Sequence, residues 1–285
     1  MDIKDLIIFK EVASKGNMTK AASSLNYVQS NVTSRINQLE NELEVQLLHR
    51  GSRGVSLTNS GEIFLSYANK IIHLHDELYN VLHDEAIPRG KIKIGSIVES
   101  ASVRLPHILS LYNTEYPMVE IILNIGSTNE LLELVLNYEV DGAFIDGPIN
   151  HSELVQELII NEELVLISDR SMVKINNLSD LIEKQLLIVS INCIYKSRLE
   201  HWIREENEQL PKSIVLGTWD GIFASVEAAL GFSITTRSLA EKYSKINEIN
   251  IHEIPKKYNQ IPLIFVRRKD IHITMPLKKF IEISS

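Results

Sequence analysis

Residues 18–43 read MTKAASSLNYVQSNVTSRINQLENEL, and two spacings within them decide the fold of the N-terminal region. In the second half, Val32, Ile36, Leu39 and Leu43 fall on one narrow stripe at 100° per residue, which predicts a helix from about Gln29 to Leu43. Its opposite face carries Ser30, Thr33, Ser34, Asn37, Gln38 and Asn41, polar but mostly uncharged. Hydroxyl and amide side chains read base edges and touch phosphates, whereas a helix face kept only for solubility is more often rich in Glu and Lys. Arg35 lies on the flank, where its stem can cover apolar surface while the guanidinium reaches a phosphate. This helix alone also fits an ordinary solvated surface helix. In the first half, Thr19 is a candidate cap for a shorter helix with Ala21, Ala22 and Leu25 facing inward. Paired alanines suit two helices crossing at a steep angle. With the Asn26-Tyr27 turn between them, the pair reads as a helix-turn-helix.

Working outward, Leu6, Phe9, Val12 and Ala13 recur at helical spacing, so residues 2–14 read as an amphipathic helix ended by Gly16. After the recognition helix, Leu47–Arg50 and Val55–Thr58 flank Gly51-Ser52-Arg53-Gly54, which reads as a β-hairpin wing. Arg53 at its tip suits a minor groove or a phosphate, or is an incidental loop arginine. Thr58 or Asn59 can cap a long helix through about His83. Tyr67, Ile71, Leu74, Leu78 and Val81 step along it by 4, 3, 4 and 3, a seam of about two heptads. That seam fits either a helix pair between two chains or packing on the helix's own domain. His73 and His75, two residues apart, cannot face one metal and are expected at the surface. Ala86-Ile87-Pro88-Arg89-Gly90 then reads as a hinge.

The 285 residues exceed one small core and suit two or three domains. Apolar content of 44% with mean hydropathy near zero is that of a soluble globular protein. No apolar run approaches the roughly 18 residues of a membrane span. Met1-Asp2-Ile3-Lys4-Asp5 has no basic stretch leading into an apolar one, so no signal peptide is expected. The single cysteine, Cys193, excludes an intrachain disulfide and a Cys-rich zinc site, in keeping with a reducing cytoplasm. The net charge of −8 is unevenly spread. Residues 1–60 hold seven Lys/Arg and six Asp/Glu, while the remainder holds 22 and 31. Screening confines the acidic remainder to a reach of about 8–10 Å, so local charge governs phosphate contact. A local net of +1 is slight, and predicts that affinity for DNA needs two or more copies of the domain.

Met18-Thr19-Lys20-Ala21-Ala22, Leu25, Gln29-Ser30-Asn31-Val32-Thr33, Ile36, Leu39-Glu40, Leu43, Leu47, Arg50, Leu57-Thr58 and Gly61 together resemble the N-terminal signature of LysR-type transcriptional regulators. The resemblance spans about 60 contiguous residues. It implies DNA contacts at Gln29, Ser30, Thr33, Arg35 and the wing arginine; Thr19, Asn31, Ser34, Asn37, Gln38 and Arg50 complete the expected interface with Arg53. Two departures stand out. Val28 occupies the cap position where relatives usually place Ser or Thr, and Asn37 and Gln38 stand where many carry basic residues. The linker helix is implied to pair antiparallel with a second copy.

From residue 91 strands and helices alternate. Strands are expected at Lys91–Ile97, Val119–Ile125, Gly142–Ile145, Leu164–Ser168, Leu187–Ser190, Ile214–Gly217 and Phe232–Thr235. Helices are expected at Leu105–Tyr112, Glu130–Leu136, about 195–206, 220–230 and Pro276–Ile283. This rhythm indicates parallel sheets covered by helices. The expected class is therefore α/β behind an all-α winged helix-turn-helix: residues 1–58 for DNA, 59–87 as linker and dimerisation helix, and 88–285 as an effector domain. The resemblance implies that this domain comprises two Rossmann-like subdomains, as in periplasmic binding proteins. Subdomain I would take 91–161 and 268–285, subdomain II 162–267, with crossings near Asn161–Glu163 and Arg267–Asp270.

Ligands of open parallel sheets sit past the carboxyl ends of strands. Four such junctions are polar, with Ser96, Ser100 and Ser102 at the first, Thr128 and Asn129 at the second, Ser190 and Asn192 at the third, and Thr218 at the fourth. Plain helix capping explains each one singly; four facing one cleft would make a pocket for a small anionic or polar metabolite. The resemblance favours Ser100, Ser102 and Thr128. Glu99 stands out, because it would repel a carboxylate or pair with a cation. Cys193 sits at a helix start that could lower its pKa, but a redox role would need an intermolecular partner. The nine histidines are scattered, and no nucleophile motif, phosphate loop or carboxylate pair is evident. No catalysis, metal or cofactor is expected. The expected function is a cytoplasmic, effector-controlled, sequence-specific DNA-binding regulator, a homodimer or homotetramer. Its partners would be duplex operator DNA, a small-molecule effector and, as a further candidate, RNA polymerase, with no membrane. An effector-independent regulator and an enzyme on a solute-binding-like fold are the alternatives.

Overall fold

A computed structural model describes residues 1–51, 54–82, 88–175 and 178–284. Arg53 and, in the expected linker end and hinge, His83, Ala86 and Ile87 lie outside the described residues.

Helix α1 (Ile3–Lys15) opens with a reciprocal capping box between Asp2 and Asp5 and closes at Gly16, whose φ of 57° is left-handed. Helix α2 (Met18–Ser24) follows. Its cap is Asn17, not Thr19: Asn17 Oδ1 accepts from the amides of Thr19 and Lys20 at 2.9 and 3.0 Å. An acceptor one residue before the helix reaches two otherwise unpaired amides, whereas Thr19 already lies inside the first turn. Helix α3 spans Gln29–Leu43, and its cap residue Val28 makes no side-chain bond. Val32, Ile36 and Leu39 enter a core with Ile8, Phe9, Val12, Ala21 and Ala22, while Leu43 lies at the edge, 37% exposed. Strands β1 (Leu48–Gly51) and β2 (Gly54–Leu57) pair antiparallel as the wing. The wing rests on the end of α1, where Val55 N donates to Gly16 O at 2.8 Å. Gly54 is required there: φ is +123°, and a Cβ would sit 2.5 Å from that carbonyl.

Helix α4 (Asn59–Leu82) starts at Thr58, whose Oγ1 accepts from Gly61 N at 3.0 Å. One face is buried at Ala68 and Asn69. On it His73 packs against Tyr138 with ring centroids 5.3 Å apart and planes tilted by 44°, and lies 3.4 Å from Glu77, so His73 is half-buried rather than a surface residue. The other face carries the whole heptad seam, with Tyr67, Ile71, Leu74, Leu78 and Val81 between 41 and 65% exposed.

The remainder is α/β. Subdomain I has β3 (Gly90–Ser96), α5 (Val98–Val103), α6 (Leu105–Glu115), β4 (Val119–Ile125), α7 (Thr128–Leu136) and β5 (Gly142–Asp146). The long β6 (Leu154–Asp169) leads out of it. Subdomain II continues with α8 (Ser179–Ile182), β7 (Gln185–Ile188), α9 (Ile194–Glu205), β8 (Ser213–Val215), α10 (Trp219–Glu227), β9 (Gly231–Thr236), α11 (Arg237–Tyr243) and β10 (Ile249–Glu253). Strand β11 (Gln260–Arg268) and helix α12 (Met275–Ser284) return to subdomain I. The strand order is β4-β3-β5-β11-β6-β9-β7-β8, with β10 on β6.

Pairing is parallel within β4-β3-β5 and β9-β7-β8, as the alternation predicts, but antiparallel wherever β6 or β11 takes part. The return crossing also differs from expectation. Leu263–Val266 of β11 pair with β5 and pack in the first core, so the chain is back in subdomain I by about Pro262 rather than at Arg267–Asp270. The reason is that β6 and β11 run side by side through both bodies, from Gln260↔Glu163 to Arg268↔Leu154. Two separate apolar cores result, one around Phe144, Phe265 and Phe280, the other around Phe223, Phe232 and Tyr195.

Candidate nucleic-acid interface and effector cleft

The α3 face opposite the core is open to solvent. Gln29, Ser30, Asn31, Ser34, Asn37 and Gln38 are exposed and Thr33 half-buried, while Thr19 is exposed on the neighbouring α2. The two described arginines of the expected interface already have acidic partners. Arg35 donates to Asp5 Oδ1 at 2.7 Å and lies 3.7 Å from Asp2, tying α3 to the start of α1. Arg50 donates to Glu40 Oε2 at 2.7 Å. Both keep a third or more of the side chain exposed, so each can still turn a face to phosphate.

Glu40, which the sequence placed in the resemblance without a role, is a positioning residue. Its Oε1 accepts from the backbone amides of Leu47 and Leu48 at 2.8 and 3.1 Å, and its Oε2 holds Arg50. One carboxylate thus ties α3 to the wing and satisfies two amides beneath buried side chains.

The second site is the seam between the subdomains. A cavity of about 10 Å³, room for about one water, is lined by Glu99, Ser100, Arg104, Asp146, Glu162 and Tyr195 among others. Of the eight expected effector residues only Ser100 lines it. Ser96 is buried and donates to Ile97 O, Ser102 offers its backbone oxygen to Lys242 Nζ at 3.1 Å, and Thr218 caps α10. Thr128 is half-buried behind the cap Ser127, and Asn129, Ser190 and Asn192 are exposed.

What meets in the seam instead is acid from subdomain I and aromatic rings from subdomain II. Trp219 Nε1 donates to Glu99 Oε1 at 3.0 Å, and the Tyr195 hydroxyl lies 3.4 Å from Asp146 Oδ1. Burial raises the Glu99 carboxyl above its ordinary range. Burial, then the nearby Glu99 charge, pushes Asp146 up to about 8. Cys193 caps α9 beside this cluster, and burial raises its thiol, so the helix start does not activate it. The described residues contain no group of three or more His, Cys, Asp and Glu able to hold a metal, and no helix long and apolar enough to cross a membrane.

Comparison with known proteins agrees with this division. The model of the bacterial regulatory helix-turn-helix protein, lysR family, matches residues 3–62, and that of the LysR substrate binding domain matches residues 86–284. The chain is 42% identical to the HTH-type transcriptional regulator SoxR of Arthrobacter sp. (strain TE1826) over 99% of its own length and 96% of the relative's. With GltR of Bacillus subtilis (strain 168) the identity is 40%, covering 99% and 95%. Among solved structures, CbnR, a LysR family regulator crystallised with its target DNA complex, aligns over all of both chains with a TM-score of 0.70 at 23% identity. Full-length OxyR from Pseudomonas aeruginosa aligns over all of this chain and 93% of its own, with a TM-score of 0.73 at 16% identity. A wing, a recognition helix and a two-body α/β domain in this order, matched by family models along nearly the whole chain, leave one conclusion: the chain belongs to the LysR family of helix-turn-helix transcriptional regulators, DNA-binding proteins rather than enzymes.

Proposed function

We propose that the protein binds an inverted-repeat operator as at least a dimer and that a small molecule between the two subdomains controls that binding. The observation that carries the first half is α3, whose apolar stripe is consumed by the core while its amide and hydroxyl face stays bare. DNA contact is assigned to Thr19, Gln29, Ser30, Asn31, Thr33, Ser34, Asn37 and Gln38, with Arg35, Arg50 and Arg53 reaching phosphates. Since Arg35 and Arg50 are shared with acidic partners, a single copy carries little free positive charge. Pairing through the exposed α4 seam supplies the second copy, and linked copies gain affinity through effective concentration. A homodimer or homotetramer in the cytoplasm follows, with RNA polymerase within reach of a regulator seated at a promoter.

The effector reading is supported by the double crossing of β6 and β11, which leaves two bodies able to close on a ligand. A second reading, regulation without a ligand, is favoured by the small size of the cavity. Footprinting on the protein's own promoter tests the proposal. Two protected half-sites separated by a whole number of helical turns are expected. A single unpaired site would overturn the dimer, and a footprint unchanged across a metabolite panel would favour the second reading.

A further inference from the structure

We infer that the seam takes the ammonium head of a small organic cation, held by Glu99 and Asp146 with Ser100 and Tyr195. The inference rests on the effector reading above and reverses the anionic half of the sequence expectation. Among the described residues neither Glu99 nor Asp146 has an ion-pair partner. Arg104, the cation on the cavity wall, lies 3.6 Å from Glu162 through Nη2, while its Nε has no hydrogen-bond partner. Two carboxylates enclosed without a counter-charge are costly, so the closed seam needs either protons or a cation there. A carboxylate ligand would bring negative charge to a wall that already carries Glu99, Asp146 and Glu162.

The remaining walls fit the same ligand. The Ser100 oxygen is 95% buried by residue and has no hydrogen-bond partner, leaving it free to accept from an N–H. The Tyr195 hydroxyl, also on the cavity wall, lies 3.4 Å from Asp146 Oδ1 and offers a lone pair to an N–H donor. The cavity of about 10 Å³ matches a group the size of water, such as an ammonium head, with the rest of the ligand extending where the subdomains part.

The chain has two tryptophans, so Trp202→Phe leaves Trp219 as the sole tryptophan, hydrogen-bonded to Glu99 in the seam. In that full-length background, methylammonium, ethanolamine and putrescine are titrated against acetate, glycolate and succinate. The expected result is a saturable Trp219 response to an amine, with proton release seen as a buffer-dependent heat. Glu99→Gln and Asp146→Asn should each weaken it by about thirtyfold or more, the lower range for losing a buried charge partner. Glu99→Gln keeps an oxygen for Trp219, so the seam itself is preserved. A response to the carboxylates alone would overturn the charge class but keep the cleft as the effector site. No Trp219 response to either set would overturn the ammonium assignment, while the footprint across a metabolite panel decides the effector reading separately. An amine response unchanged in both variants would overturn the assignment of these two acids.

Discussion

Replacing Glu40 with alanine should free the wing and release Arg50 from its acidic partner. The carboxylate makes three hydrogen bonds: to the Leu47 and Leu48 amides and to Arg50. The Arg50 pair is partly solvated and contributes under about 1 kcal/mol. The two amides matter more, since each left unsatisfied costs about 1–3 kcal/mol, less where water can enter. A total near 3 kcal/mol is expected, equivalent to about a hundredfold faster local opening. Hydrogen exchange of the Leu47 and Leu48 amides reads this directly. Glu40→Gln separates the contributions, because its carbonyl oxygen can still accept from both amides while the ion pair with Arg50 is lost. Alanine should accelerate exchange about a hundredfold and glutamine less than tenfold. Equal effects of the two substitutions, or no effect of alanine, would refute the latch.

Two further outcomes follow from the linker helix and the seam. Leu74 and Leu78 are 46 and 55% exposed, and burying each in two copies contributes several kcal/mol to pairing. Leu74→Asp with Leu78→Asp should therefore shift sedimentation from dimer to monomer at micromolar protein; an unchanged dimer would place the interface elsewhere. Asp146 is raised from an ordinary 3.8 to about 8 by burial and then Glu99, with Tyr195, Cys193, Glu162 and Arg104 as its other neighbours. Between those values the folded domain holds a proton that the unfolded chain has released. The contribution of Asp146 to stability should be fully present below about pH 4 and fall as pH rises toward 8, at up to about 1.4 kcal/mol per unit. Asp146→Asn should flatten that slope in urea titrations; a slope left unchanged would refute it.

The DNA-binding half was largely legible because its signals are local. Helix α3 spans Gln29–Leu43 as its stripe of Val32, Ile36, Leu39 and Leu43 indicates, and Val28 stands at the cap position that the resemblance implies. Asn17 and Thr19 are both capping types, and only the geometry of Asn17 Oδ1 against two amides separates them. In the effector domain Val119–Ile125 was legible end to end. The first half of β6 was not, because its partner β11 lies about a hundred residues on and pairing leaves no local mark. Helices α5 and α8, of six and four residues, are too short to show a period. The seam was hardest to foresee. Glu99, Asp146, Tyr195 and Trp219 are spread over 120 residues, and only Glu99 stood out as out of place among hydroxyls. The hydroxyls of Ser190 and Thr218 and the amide of Asn192 were visible but remain exposed or cap their own helices.

The central claim is that the bare polar face of α3 reads DNA sequence. Fluorescence anisotropy of a labelled duplex from the protein's own promoter, against a scrambled duplex at several salt concentrations, tests it most directly. The wild-type chain should prefer its promoter by about a thousandfold at physiological salt, with affinity falling linearly in log salt. Ser30→Ala, Thr33→Ala and Ser34→Ala together should remove the preference and leave weak, salt-sensitive binding. Equal affinity of the wild-type chain for both duplexes, or a preference that survives in the triple variant, would contradict the account.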